Sequence, residues 1–88
     1  MDVHRTHPEV IKRLRRAQGH LAKVIEMVEK ESDCLMIAQQ LQAVVNALSN
    51  AKTLHVHDHI EHCLAEALGR RGGGTPDISG FKEIAKYL

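Results

Sequence analysis

The stretch from Cys34 to Leu68 contains neither proline nor glycine, and this continuity constrains the fold more than any other feature of the chain. Apolar residues recur along it at Ile37, Leu41, Val44, Leu48 and Ala51 in a heptad-like seam, widened by Ala38, Val45, Ile60, Leu64, Ala67 and Leu68. The pattern predicts one long helix over residues 34–69, with Ser32-Asp33 as its start signal. Apolar character on more than one side implies that this helix touches both its own neighbour in the chain and another subunit.

A first helix is predicted over about residues 8–30. Thr6 stands where a cap is needed, Pro8 suits the first turn, and Glu9 occupies the capping-box position. From there Ile11, Leu14, Gln18, Leu21, Ile25 and Val28 follow alternating spacings of three and four, a packing seam interrupted only by Gln18. The opposite surface carries Lys12, Arg13, Arg16, His20, Lys23 and Glu26. Gly69 to Thr75 reads as a flexible connector, and Pro76-Asp77 starts a short third helix over about 77–88, with Ile78, Phe81, Ala85 and Leu88 on one side. The expectation is a single all-α domain spanning residues 1–88.

Eighty-eight residues bury little surface, so a chain this short needs help from subunits, metal or disulfides. Aromatic residues make up only 2% of it, which leaves a core of Leu, Ile, Val, Ala and Met and favours helical packing. Neither a membrane-spanning run nor a secretory signal is visible, and a cytoplasmic location is expected. In a reducing compartment Cys34 and Cys63 read as ligands, reactive thiols or core residues rather than a disulfide.

Cys34, His59 and Cys63 carry the chemistry. His59 and Cys63 are four residues apart, so on a helix an imidazole and a thiolate leave from one face and can hold one soft metal ion. Cys34 lies in the first turn of the same helix, where unpaired backbone N–H groups favour an anion. Along a continuous helix it is roughly 44 Å from Cys63. One chain cannot close that gap. A second copy lying antiparallel would place its Cys34 beside His59 and Cys63 of the first, giving two equivalent sites per dimer. Two thiolates and an imidazole suit trigonal Cu(I), whereas Ni(II) or Co(II) would recruit further nitrogen donors, for which His4, His7, His55 and His62 are the candidates. His20, His55 and His57 also read as ordinary solvated or hydrogen-bonded histidines.

Catalysis has no comparable support. A Cys63 nucleophile activated by His59 would lack an oxyanion hole and a substrate pocket, so the chain is not expected to be an enzyme. The net charge is only +1, but Lys12, Arg13, Arg15 and Arg16 cluster within one helix turn and a half. Repeated by symmetry, such a cluster could follow the phosphate backbone of a duplex. No helix-turn-helix, zinc finger or β-ribbon signature is present.

Arg13-Leu14, Gly19-His20-Leu21, Cys34, Gln40 to Val44 and His59-Ile60-Glu61-His62-Cys63 together resemble the copper-sensitive operon repressor and nickel/cobalt repressor family. The resemblance implies a three-helix protomer, an antiparallel four-helix-bundle dimer, a dimer of dimers, and repression of efflux or detoxification genes that is relieved when ligand binds. It assigns the metal to Cys34, His59 and Cys63, and contact with double-stranded operator DNA to Arg13, with Arg16 and Lys12 as neighbours. Copper-sensing members carry a Tyr before the first Cys and a Glu on the last helix, where this chain has Asp33 and Gly80 or Ser79. Those departures, together with the C-terminal segment from Phe81 to Leu88 and an N-terminal His4 or His7, tilt the expected effector toward Ni(II) or Co(II). A further branch senses sulfane sulfur or electrophiles through the two cysteines. Outside the family, a metal-buffering protein that never touches DNA remains the rival.

Overall fold

The structure, a computed structural model, describes residues 6–69 and 79–88. Three helices follow in order: α1 from His7 to Glu29, α2 from Cys34 to Gly69, and α3 from Ser79 to Ala85. No strand occurs among the described residues. His4 and the connector from residue 70 to 78, including the expected start of the third helix, lie outside the described residues.

Helices α1 and α2 form an antiparallel hairpin. His20 meets Gln40 near its closed end and His7 meets Asp58 near its open end. Because α1 begins opposite Asp58, the last eleven residues of α2 project beyond it, with α3 packed against α2. The molecule is accordingly a rod of 63 × 24 × 14 Å.

Asp33 explains where α2 starts. Its Oδ2 accepts from the Met36 N–H at 3.1 Å, a side-chain cap that satisfies one of the free amides of the first turn and makes Cys34 the first helical residue. Upstream, α1 closes with Ser32 N donating to Met27 O at 2.9 Å and Glu31 N to Val28 O at 3.1 Å. This is the Schellman arrangement, with Glu31 in the left-handed region at φ 55° where glycine is usual.

The start of α1 departs from expectation. Thr6 precedes the helix but has φ −86° and ψ −11°, already helical values, so its hydroxyl is not aimed at the first-turn amides and makes no cap. Its Oγ1 is buried with no hydrogen-bond partner among the described residues. Glu9 does not close a capping box either; it receives Arg13 Nε at 3.2 Å.

Burial also falls on a different line from the one the large residues mark. Val10, Ala17 and Val24 on α1 pack with Val44 and Ala51 on α2, the two buried members of the expected α2 seam; each set is spaced by seven, and Asp58 continues the α2 set. Ile11, Leu14, Leu21, Ile25 and Val28, the expected seam, remain exposed, as do Leu41, Val45 and Leu48. The reason is size: valine and alanine let two helix axes approach closely, and at about 100° per residue the larger side chains lie on the adjoining strip of each helix. Helix α3 is shorter than expected. It stops at Ala85, and residues 86–88 turn through i→i−3 bonds of 3.0 to 3.4 Å that satisfy its last carbonyls. Of the expected side, Phe81 and Leu88 are exposed, whereas Ala85 is half-buried, as is Ile84 beside it.

Candidate metal centre

All three sequence-predicted donors stand on α2. Cys34 is exposed, whereas His59 and Cys63 are half-buried on the part of α2 that outruns α1. At 3.6 residues per turn, separations of 25 and 29 residues are each within about 20° of whole turns, so the three donors fall on one line of the helix. Leu41, Val45 and Leu48 share that line, and Val45 is 50% exposed. Between its two ligand ends the donor line is therefore apolar and exposed, while its His59 and Cys63 end is half-buried. Among the described residues, no three His, Cys, Asp or Glu side chains of one protomer converge as a metal-binding group.

Helix α3 reaches the same end. A Cβ added at Gly80 would lie 3.3 Å from Cys63 Sγ, tighter than ordinary van der Waals contact. Gly80, one of the two last-helix positions considered from sequence, thus stands beside the sulfur and offers no side chain to it. Asp33, the other departure, is occupied with capping α2 and so fixes where Cys34 sits.

The remaining histidines are distributed. The His62 ring lies 6.3 Å from that of His59, but three residues beyond it on the helix it points along a neighbouring line, and it is half-buried. His7 is the first residue of α1, with Nε2 at 3.7 Å from Asp58 Oδ2 and its ring 5.6 Å from that of His55. That cluster was not anticipated. Asp58 is only 5% exposed, and its one sequence signal is that it continues the seven-residue spacing of Val44 and Ala51 into a carboxylate.

On the other flank of the hairpin, two adjoining clefts of about 340 and 500 Å³ run between α1 and α2. Arg13 and Arg16 line the first, and Arg16, Gly19, His20 and Lys23 the second. His20 is tied to the α2 wall, its Nε2 2.7 Å from Gln40 Oε1. Lys12 and Arg16 are exposed, as is Arg13, whose Nε engages Glu9. An exposed pair of that kind contributes about 0–1 kcal/mol, so exchanging Glu9 for a stronger anion costs little.

A family model described as metal-sensitive transcriptional repressor matches residues 6–88. The chain belongs to that family. The copper-sensing transcriptional repressor CsoR of Mycobacterium ulcerans (strain Agy99) is 36% identical over 77 residues, covering 88% of this chain and 65% of that protein. The protein of the same name from Bacillus subtilis (strain 168) is 32% identical over 78 residues, 89% of this chain and 76% of its own. The copper-sensing transcriptional repressor RicR of Mycobacterium tuberculosis (strain ATCC 25618 / H37Rv) is 32% identical over 64 residues, 73% of this chain and 67% of its own. The chain thus spans just under two thirds of the first of these relatives. No solved structure matches it significantly. The family is one of repressors and not of enzymes, in keeping with the absence of catalytic machinery in the sequence.

Proposed function

We propose that this protein is a Cu(I)-responsive repressor in which two antiparallel protomers share each ion, Cys34 from one and His59 with Cys63 from the other, and in which metal binding weakens the hold on operator DNA. The observation that carries the reading is that all three donors share one line of α2 with Leu41, Val45 and Leu48, which are exposed between them. Pairing two such faces head to tail brings the ends together and covers the leucines in one step. In that register Leu48 lies near the two-fold axis. The whole of residues 1–88 then acts as one sensing and DNA-binding domain, and two dimers can associate through the faces that remain.

Two thiolates and one imidazole are a soft set of three, which favours Cu(I). The three relatives described above are copper-sensing by name. Ni(II) or Co(II), toward which Asp33, Gly80 and the C-terminal segment point, is the second reading. It needs nitrogen donors beyond His59, with His62, His7 and His4 as the candidates. The His62 ring lies 6.3 Å from that of His59. Sulfane-sulfur or electrophile chemistry at Cys34 and Cys63 would dispense with His59 altogether.

Arg13, Arg16 and Lys12 supply the DNA-facing cations, and the duplex is the partner whose phosphates they would meet. Ion binding at the subunit junction would select a dimer geometry that presents those cations less favourably. Coupling of this kind is typically about 1–3 kcal/mol, or a roughly 5- to 150-fold loss of DNA affinity.

The test is a duplex-binding titration with promoter DNA from the protein's own transcription unit, run metal-free and with Cu(I), Ni(II) and Co(II) in turn. Release by Cu(I) alone is expected, with ultraviolet thiolate-to-metal absorption and none of the visible bands of Ni(II) or Co(II). Cys34→Ala should keep DNA binding and lose the metal response. Release by Ni(II) or Co(II) in preference to Cu(I) would move the assignment to the second reading, and DNA affinity indifferent to all three ions would remove it.

A further inference from the structure

Gly19 sits in the middle of α1, where glycine costs about 0.8–1.0 kcal/mol relative to alanine. Nothing within the protomer requires it: a Cβ built there would meet no atom within 4 Å. The residue is exposed, and no turn or positive φ asks for glycine at this point in a regular helix. Close approach by something outside the protomer is a physical reason for glycine at such a position.

The surroundings identify the visitor by charge. Lys12, Arg15, Arg16 and Lys23 stand seven, four and three residues before Gly19 and four after it, the positions that share a helix surface with it. All four are exposed, and among the described residues none is paired with a carboxylate. The nearby acids are otherwise engaged: Glu9 receives Arg13, and Glu26 receives Lys30. Four cations therefore surround a notch left by a missing side chain, over about 16 Å of helix. The apolar strip of Ile11, Leu14, Leu21 and Ile25 lies on the other side of the helix, so this notch is separate from the face on which a second copy would pack.

We infer that the phosphodiester backbone of double-stranded DNA seats on α1 at Gly19, held by Arg16 and Lys23 with Lys12 and Arg15 beside them. The inference rests on the repressor reading and gives it a contact point. DNA has the matching chemistry: a regular line of anions that approaches a helix backbone closely where no side chain intervenes. His20, fixed to Gln40 at the groove wall, lies one residue away and completes the edge.

Metal-free full-length protein and its own labelled promoter duplex provide the test, read by fluorescence anisotropy across a salt series. Gly19→Ala and Gly19→Gln fill the notch with good helix formers, so neither should lower the melting temperature. Gly19→Gln is expected to weaken duplex binding by about tenfold or more, with Gly19→Ala between it and the natural protein. Lys23→Ala should reduce the slope of log affinity against log salt by about one per bound subunit. Natural affinity in both glycine variants would overturn the inference and leave the repressor reading standing. So would a changed sedimentation coefficient in Gly19→Gln, because the glycine would then belong to a subunit contact. If the natural protein binds no duplex at all, the repressor reading falls and this contact falls with it.

Discussion

The two flanks of helix α1 differ in what they lack. On one side Ile11, Leu14, Leu21 and Ile25 join Leu41, Val45 and Leu48 of α2 in an apolar surface with no cover from the protomer, Ile25 being 52% exposed. On the other, Lys12, Arg15, Arg16 and Lys23 form a cationic surface in which, among the described residues, none of the four is ion-paired with a carboxylate. Between them runs a narrow line of valine and alanine that satisfies the hairpin itself. The hairpin uses its smallest residues for its own fold and offers its largest and most charged ones outward. A helix can thus be specified by one strip for folding and by two others for unlike partners, one apolar and one anionic.

Substituting one flank at a time separates them. The largest effect is expected from Leu48→Glu, which puts two carboxylates near the proposed two-fold axis. Self-association should weaken by roughly 100-fold or more, since an uncompensated buried charge costs about 3–5 kcal/mol. Equilibrium sedimentation reads this directly, and a variant that assembles like the natural protein would show that the apolar flank is not an interface. Arg13→Ala acts on the opposite flank. Duplex affinity should drop by about tenfold while metal affinity and assembly stay put; a metal buffer would have no duplex binding to lose. Glu31→Gly, in the turn and on neither flank, calibrates the comparison. Relieving a left-handed glutamate should raise stability by about 1 kcal/mol or less, visible in the melting temperature alone. A change in DNA or metal binding from that substitution would mean that the flanks are coupled through the turn.

Much of this architecture was legible in the sequence. The extent of α2 follows from the absence of helix breakers between Cys34 and Leu68 and from Asp33, which caps as its position suggests. The remoteness of Cys34 from Cys63 needed only the rise of a helix. Apolar periodicity, however, cannot tell a strip buried within a chain from one awaiting another chain, and it marks the larger residues first. The seam of Ile11, Leu14, Leu21 and Ile25 was visible for that reason, whereas the buried line of Val10, Ala17 and Val24 was not. Asp58 was passed over because an aspartate on a helix normally reads as solvated. The turn at Glu31 gave no signal, since a glutamate does not announce a left-handed conformation. Thr6 carried the right residue type for a cap but the wrong backbone angles, which residue identity does not encode.

The unbroken course of α2 makes it a ruler. Its donors keep a common heading only because their separations approximate complete revolutions, so inserting one residue between Cys34 and His59 would swing one end by about 100° relative to the other. Seven inserted residues would change the heading by only about 20° while lengthening the rod by about 10 Å. Lineages that stretch or shrink this protein while keeping its donors aligned are therefore expected to do so in steps of about two helical turns.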